Sequence, residues 1–342
     1  MSLLRIFPLK TILLPDTQSS SEEVLILRDF PKTLDIVTSG LNEEECLPEL
    51  YRRIVLVLDT YPDIVWRLII CDNGSTDNSW KVITILSQKD SRVIGLRLAR
   101  TFSFDNGLTC GLDHADAEVV ILMASDLQDP PEVFKDFLDS YRSGFDQVVA
   151  RIISKDHVPP LRRLLSKYFY KIANKLTKNM IPRDVSDFRL LSRSAYTAAR
   201  SLRERNRFLR GLIAWTGFNT AYIEIDRPER FAGSSVFLDT KLLRVIQWAS
   251  NAIFSHTALP LELVTFVGIV SSALSALATF IFSLIWIVKG VPFAGYGTIV
   301  GVIFIGFSLL LLSVGILAQY LALIYEEVKH RPLYVISEKV GL

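Results

Sequence analysis

Short apolar runs alternate with stretches of helical periodicity between residues 34 and 226. In the helical stretches, such as 43–58 and 79–87, apolar residues recur every three or four positions. This alternation is typical of βαβ units, in which helices join parallel strands and cover the sheet. We therefore predict an α/β domain with a mostly parallel sheet and flanking helices. Its strands are predicted at 34–38, 67–71, 93–98, 118–123 and 147–152.

Two long uncharged stretches follow this domain, at 263–288 and 290–325. Each is longer than the roughly 20 apolar residues that an α-helix needs to cross a bilayer. Glycines and a proline between 290 and 297 predict a turn between the two helices. We therefore predict a transmembrane helical hairpin at 261–325. The alternative is a pair of buried helices in a soluble protein, although such helices seldom run this long without a charge.

Basic residues on both outer flanks of the hairpin predict its orientation. One lysine lies between the two stretches, whereas Lys241, Arg244, Lys329, Arg331 and Lys339 lie outside them. Positive flanks stay in the cytoplasm, so the amino-terminal domain and the tail are expected there. Residues 1–32 contain prolines and no small-residue cleavage site, which favours a poorly ordered leader over a signal peptide.

These patterns divide the chain into five parts. They are a leader at 1–32, a cytoplasmic α/β domain at 33–232, an interfacial amphipathic segment at 233–260, the hairpin at 261–325 and a cytoplasmic tail at 326–342. A predicted helix at 160–178 interleaves basic with apolar residues, which is typical of a helix on an anionic membrane surface. Its alternative is an ordinary solvated face. Residues 242–254, with Trp248, are predicted to form an interfacial collar.

Charge and cysteine content narrow the functional classes. The formal net charge is only +2, so the overall balance does not indicate a nucleic-acid partner. The three cysteines, Cys46, Cys71 and Cys110, have no spacing that would predict a zinc site or a disulfide framework. We expect them to be reduced, buried thiols.

Polar side chains follow several predicted strands at the edge where parallel sheets bind ligands. Asn42 and Glu43 come after the first strand and Asp72 ends the second. Asp126, Gln128 and Asp129 follow the fourth strand, before two prolines that begin a helix. Carboxylate and amide oxygens are hard ligands that suit Mg²⁺ or Mn²⁺ holding a diphosphate. Taken singly, each segment is also compatible with a turn or a helix cap.

Taken together, these segments resemble the bacterial polyisoprenyl-phosphate glycosyltransferases, which are membrane-anchored family 2 enzymes related to dolichol-phosphate mannose synthases. The resemblance covers roughly residues 34–336. Its motifs are Asn42-Glu43-Glu44, Asp72-x-Gly74-Ser75-Thr76-Asp77, Asp126-Leu127-Gln128-Asp129-Pro130-Pro131, Asp187-Phe188-Arg189-Leu190-Leu191, Asn206-Arg207-Phe208-Leu209-Arg210-Gly211, Arg230-Phe231-Ala232-Gly233 and Tyr325-Glu326-Glu327-Val328-Lys329-x-Arg331-Pro332-Leu333-Tyr334.

The resemblance implies a fold, a reaction and a location. A GT-A domain would take a sugar from a nucleotide diphosphate, with UDP-hexose expected, and place it on undecaprenyl phosphate with inversion. The enzyme would be a multi-pass protein of the bacterial inner (plasma) membrane with its catalytic domain in the cytoplasm. The expected partners are the nucleotide sugar, polyisoprenyl phosphate and the membrane, with a homo-oligomer left open.

The resemblance also implies roles for individual residues. Asp187 matches the catalytic aspartate of the family, and Arg189, two residues further on in the same motif, is assigned to catalysis with it. Arginine forks grip phosphate bidentately, so the acceptor phosphate is assigned to Arg207, Arg210 and Arg230. The donor is assigned to Asn42, Glu43, Asp72, Asp126 and Gln128, with Asp126 also expected to hold Mg²⁺ or Mn²⁺.

Several motifs depart from the family on the donor side. Ala124 replaces the first aspartate of the expected Asp-x-Asp, which removes one carboxylate from the metal site. Asn73 replaces an aspartate, Ser103 replaces a glycine, and Val236 replaces a lysine. These changes predict an altered donor or reduced activity. The alternative hypothesis is a catalytically silent membrane scaffold that binds lipid phosphate or a partner glycosyltransferase; the retention of Asp187, Arg207 and Arg210 favours an enzyme.

Overall fold

The computed structural model describes residues 27–153, 185–205, 207–228 and 295–342, together with isolated positions between 264 and 288. The described residues belong to two compact units, each considered by itself. One contains the sheet and includes the chain from Pro332 to Leu342, and the other contains the long carboxy-terminal helix. The predicted membrane-surface helix at 160–178, the segment at 233–260 and Arg230 lie outside the described residues.

Eight described strands form one mixed sheet in the order β7-β5-β6-β4-β1-β2-β3-β8. They are β1 (Thr33–Gly40), β2 (Val65–Asp72), β3 (Val93–Leu98), β4 (Val119–Ala124), β5 (Gln147–Ile152), β6 (Val185–Ser192), β7 (Thr220–Ile225) and β8 (Ile336–Val340). Strands β3, β2, β1 and β4 are mutually parallel, whereas β6 and β8 run antiparallel to their neighbours. The predicted α/β fold with a mostly parallel sheet is confirmed.

Helices cover both faces of the sheet, because each strand of the parallel core is apolar on both sides. They are α1 (Cys46–Leu58), α2 (Ser79–Lys89), α3 (Phe104–His114), α4 (Phe134–Arg142), α5 (Arg193–Ser201) and α6 (Leu209–Trp215), with a short 3-10 turn at Pro131–Val133. Helices α1, α2 and α4 contribute to one apolar core. Helices α3, α5 and α6 contribute to the other.

Helix α3 packs unusually close to β1, and two glycines permit this. A Cβ on Gly111 would lie 2.4 Å from Cγ1 of Val37, and a Cβ on Gly107 would lie 2.1 Å from Oγ of Ser39. Any larger residue would push the helix away from the sheet. The close packing brings the first turn of α3 up to the carboxyl end of β1, where the candidate site lies.

Residues before and after the predicted domain make contacts with it that the sequence did not predict. Within the predicted leader, Arg28 donates a hydrogen bond to Asp146 at 3.0 Å, and the Lys32 amide donates to Glu118 at 2.8 Å. Within the predicted tail, β8 adds an antiparallel edge strand to β3. The three cysteines are buried and free of disulfides, as predicted.

The long helix α7 (Tyr296–Val328) coincides with the second predicted span and continues past it. Counting only the residues that the structure describes, no helix is both long enough and apolar enough to cross a membrane. Most of the first predicted span lies outside those residues. The transmembrane hairpin therefore stays a prediction.

Candidate active site

The loops after β1 and β2 interlock at the carboxyl edge of the sheet. Asn42 has a left-handed backbone with φ of 59°, and its Oδ1 accepts a hydrogen bond from the Thr76 amide at 2.8 Å. The Asn42 amide donates to Oγ of Ser75 at 2.9 Å, and the Glu43 amide donates to Oγ of Ser79 at 2.8 Å. Asn42 and Glu43 thus fix the shape of the crevice that they were predicted to line.

Asp72 lies at the centre of this edge, where it pairs in register with Gly40 of β1. Its side chain is fully buried, and its Oδ1 accepts a hydrogen bond from the Ser75 amide at 3.0 Å. Its Oδ2 lies 3.5 Å from Nε of Arg97 on β3 and has no hydrogen-bond partner among the described residues. Asp72 therefore has one buried acceptor atom that forms no hydrogen bond within the described part of the protein.

The loop after β4 turns sharply at Leu127, whose φ is 61°. Asp126 lies on the partly exposed side of the turn, where its Oδ1 accepts a hydrogen bond from the Gln128 amide at 3.1 Å. The Gln128 side chain contacts the carbonyl oxygen of Pro228 at 3.5 Å. Asp126 and Gln128 thus lie next to the crevice, because Ala124 before them pairs with Ser39.

Asp129 faces into the protein and supports this loop. Its Oδ2 accepts a hydrogen bond from the Ala124 amide at 3.0 Å, and its Oδ1 lies 3.5 Å from Arg227 and 3.4 Å from Oγ of Ser186. Burial raises the pKa of Asp129 to about 6, and the carboxylates of Asp126 and Asp187 add to the rise while Arg227 opposes it. Asp129 therefore joins the loop after β4 to the strand that bears Asp187.

Asp187 on β6 forms an ion pair with the first turn of α6. Its Oδ2 accepts a hydrogen bond from Nη2 of Arg210 at 2.8 Å, and its side chain is 18% exposed. Nη2 of Arg189 lies 4.0 Å from Oδ1 of Asp187 and donates to the carbonyl oxygen of Ser186 at 2.8 Å. Burial lowers the pKa of the Arg189 guanidinium to about 10. The predicted catalytic pair and Arg210 are thus brought together.

The two other predicted phosphate-binding arginines have different placements. Arg207 is buried, and its terminal nitrogens donate to the backbone carbonyl oxygens of Leu202 and Ala199, at and just before the end of α5. Burial lowers its pKa. Arg230 lies outside the described residues. Of the three, Arg210 is the arginine that the structure places directly on Asp187.

Asp105 is a site residue that the sequence analysis missed. It lies in the first turn of α3, the helix that follows β3, seven positions after the last residue of that strand. Burial raises its pKa to about 7; the Asp187 carboxylate adds to the rise, and Arg210 and Arg207 oppose it. The rule that ligands bind beyond parallel strand ends would have identified it, had it been applied to the third strand as it was to the others.

Compared with wild type, the Asp105→Asn variant is expected to gain stability as the pH rises from acidic to neutral. An aspartate has a pKa near 3.9 when unfolded, so the native state binds the extra proton between about pH 4 and 7. The wild-type free energy of unfolding should therefore fall, relative to Asp105→Asn, by on the order of 1–2 kcal/mol as pH rises through that window. Urea unfolding of both proteins at pH 5, 6, 7 and 8 measures this; a constant difference would contradict it.

The described carboxylates could bind a metal ion only if a substrate supplied further ligands. Among the residues that the structure describes, no cluster of three acidic, histidine or cysteine side chains could hold a metal ion. Asp126 offers one partly exposed carboxylate, and Asp129 is committed to the protein interior. Magnesium is commonly held by one or two carboxylates completed by substrate phosphates and water. Asp126 fits that arrangement.

Comparison with known proteins now identifies the family. The profile of Glycosyl transferase family 2 matches residues 35–198. A bactoprenol glucosyl transferase of Shigella phage SfV is 33% identical over 90% of this chain and 98% of its own. The chain belongs to family 2 of the glycosyltransferases, among the bacterial polyisoprenyl-phosphate glycosyltransferases. The predicted enzyme class is confirmed, and the sheet with its flanking helices is a GT-A-like fold.

Two further proteins are similar over much of the chain. An uncharacterized glycosyltransferase of Synechocystis is 36% identical over 90% of this chain and 96% of its own. Among solved structures, glucosyl-3-phosphoglycerate synthase from Mycobacterium tuberculosis, in complex with Mn²⁺ and uridine-diphosphate-glucose, covers 65% of this chain and 79% of that chain. It is 16% identical, with a TM-score of 0.45.

Proposed function

We propose that this glycosyltransferase transfers a hexose from UDP-hexose to polyisoprenyl phosphate, with undecaprenyl phosphate as the acceptor and inversion at the anomeric carbon. The observation that carries the proposal is the Asp187–Arg210 pair beside Asp105, linked through Ser186 and Asp129 to the loop of Asp126. The relatives named bactoprenol glucosyl transferase support the choice of acceptor.

The acceptor needs little activation. A phosphate monoester has its second pKa near 6, so the lipid phosphate is mostly dianionic at pH 7. One of its oxygens forms the bond to the anomeric carbon, while the bond from that carbon to the diphosphate oxygen breaks and UDP leaves with the electron pair. No proton must leave the dianion. The main task of the protein is to hold two anions in line for this displacement.

Arg210 and Asp187 are placed to do this on the acceptor side. Arg210 is about one third exposed, so its fork can reach a phosphate while Asp187 fixes its direction. Asp187 in turn orients the acceptor or accepts a proton from the minor monoanionic form. Arg189 is buried beside Asp187 and offsets part of the negative charge of that carboxylate. Arg207 and Arg230 remain proposed phosphate ligands.

On the donor side, we propose that Asp72 and the loop of Asn42 and Glu43 bind the nucleoside, with Asp126 and Gln128 at the diphosphate. Mg²⁺ or Mn²⁺ held by Asp126 would stabilise the negative charge of the leaving diphosphate. Ala124 leaves this site with one carboxylate fewer than the family motif. We therefore expect weak metal affinity in the absence of a nucleotide.

The decisive experiment uses the detergent-solubilised full chain with undecaprenyl phosphate and a panel of radiolabelled nucleotide sugars. A lipid-linked product should form with a UDP-hexose and depend on Mg²⁺ or Mn²⁺. The alternative from the sequence is a silent scaffold, and the lost donor-side carboxylate at Ala124 is the argument for it. It would bind lipid phosphate yet give no product with any donor.

We also propose that α7 and the uncharged stretch before it anchor the enzyme in the bacterial inner membrane. Val302 and Ile303 are 65% and 63% exposed, although neighbouring positions on a helix point about 100° apart. Phe307 and Leu310 are similarly exposed. Apolar surface on more than one side of a helix is unfavourable in water and suits a lipid environment. A homo-oligomer remains an expectation from the sequence.

The proposed topology predicts which face of the membrane a protease can reach. In spheroplasts, protease added from the periplasmic side should leave residues 34–226 intact, because both flanks of the hairpin are expected in the cytoplasm. In inverted vesicles the same region should be cleaved. Immunoblotting for the domain, with a periplasmic protein as the cleavage control, measures this; cleavage in spheroplasts would overturn the topology.

A further inference from the structure

The carboxy-terminal strand β8 reaches the candidate donor site through a chain of charged contacts. Glu338 lies opposite Arg97 in the register of β8 and β3. Its Oε1 accepts a hydrogen bond from Nη1 of Arg97 at 2.6 Å, and its Oε2 accepts one from Nε1 of Trp80 at 3.1 Å. Both oxygens of Glu338 are therefore used to hold Arg97 and Trp80.

Arg97 connects this edge strand to Asp72. The two residues are partners in the register of β2 and β3, and Nε of Arg97 lies 3.5 Å from Oδ2 of Asp72. That distance is an ion pair and too long for a good hydrogen bond. Arg97 thus offsets the buried charge of Asp72 without a hydrogen bond to Oδ2, a buried atom that has no hydrogen-bond partner among the residues that the structure describes.

The contact with Glu338 accounts for the lack of a hydrogen bond from Arg97 to Oδ2 of Asp72. A guanidinium beside a carboxylate frequently forms two parallel hydrogen bonds to it. Here Nη1 of Arg97 is bound to Glu338, and the guanidinium lies 5.8 Å from the ring centre of Trp80. Removing the charge of Glu338 would leave Asp72 as the strongest acceptor near Arg97. Arg97 would then bind Oδ2 directly and close that acceptor to a ligand.

We propose that Glu338 is a positioning residue that, through Arg97, keeps Oδ2 of Asp72 open to accept a hydrogen bond from the imide N–H of the donor's uracil ring. This rests on the proposed function, in which Asp72 binds the nucleoside. A free lone pair on a buried carboxylate is matched by an N–H donor, and the uracil ring has a single one, at N3. The strand that follows α7 in the chain would thereby be required for donor recognition.

The test compares UDP with N3-methyl-UDP, which lacks that N–H, by calorimetric titration of the detergent-solubilised full chain in Mn²⁺. Glu338→Gln should weaken UDP binding about five- to tenfold and leave the affinity for N3-methyl-UDP unchanged. In turnover, the KM for the donor should rise while kcat stays constant. Trp80→Phe, which removes one bond to Glu338, should give a smaller effect in the same direction.

Lys339→Gln is the matched control, because it removes one charge from the neighbouring position on the opposite side of β8, where Lys339 contacts His114. It should leave both affinities unchanged.

Asp72→Asn tests the donor site itself and should weaken UDP binding. If it does not, the proposed donor site fails, and this inference with it. If Asp72→Asn weakens UDP binding but Glu338→Gln matches Lys339→Gln, the inference alone is overturned. An equal loss for both ligands in Glu338→Gln would indicate a structural role and would also overturn it.

Discussion

Replacing Asp187 by asparagine is expected to reduce formation of the lipid-linked sugar by about 100-fold or more and to leave nucleotide binding nearly unchanged. Asparagine keeps the size of the side chain but loses the charge that orients Arg210, whose Nη2 lies 2.8 Å from Oδ2 of Asp187. The contact lies on the proposed acceptor side, so the nucleotide should not sense the change. Radiolabelled product formation and UDP titration measure the two quantities on the same preparation.

Asp116→Asn is a suitable control for this variant. The Asp116 side chain is 84% exposed and, among the described residues, forms a surface ion pair with Arg193 alone, so its loss should change neither measurement. An equal loss of nucleotide binding in Asp187→Asn would move Asp187 to the donor site. Wild-type turnover in Asp187→Asn would remove it from the catalytic machinery and would leave Asp105 as the carboxylate beside Arg210.

The five strands predicted from the sequence all have apolar side chains on both faces, because helices cover both sides of the sheet. In the sequence, such strands are continuous apolar runs between helical stretches, and they are easily recognised. The three strands that were not predicted have no continuous apolar run. Strand β6 contains Ser186, Asp187 and Arg189, which interrupt its apolar pattern, and β8 is mostly polar at the sheet edge. Edge strands need no second apolar face, so pattern alone does not find them.

The candidate site was partly predictable for a related reason. Asp72 and Asp126 follow predicted strands, so topology alone places them at the carboxyl edge. Topology does not predict which groups a long side chain will contact. Arg207 and Arg210 are three residues apart in one motif, yet one binds backbone carbonyl groups and the other binds Asp187. Likewise, the contact between Arg97 and Glu338 joins residues separated by 241 positions and depends on an edge strand.

Replacing Ala124 by aspartate is expected to tighten metal-dependent UDP binding by roughly tenfold or more. Ala124 is the last residue of β4, partly exposed, and two residues before Asp126. A second carboxylate there would give a hard cation another charged oxygen, and a charge-assisted contact contributes about 1.5–3 kcal/mol. Titration of UDP at fixed Mn²⁺, and again with a chelator, measures the metal-dependent part.

Ala124→Asn separates the effect of charge from that of an added oxygen ligand. Its amide oxygen can bind a cation without adding negative charge, so its gain should be smaller. Without metal, Ala124→Asp should bind UDP no better than wild type, because the new carboxylate would repel the diphosphate. The backbone bond from the Ala124 amide to Asp129 is available to either variant, which keeps the loop comparable. If Ala124→Asp showed no metal-dependent gain, the diphosphate would have to be held elsewhere, on arginine or lysine side chains without a cation, and the assignment of Asp126 to the metal would fall with it.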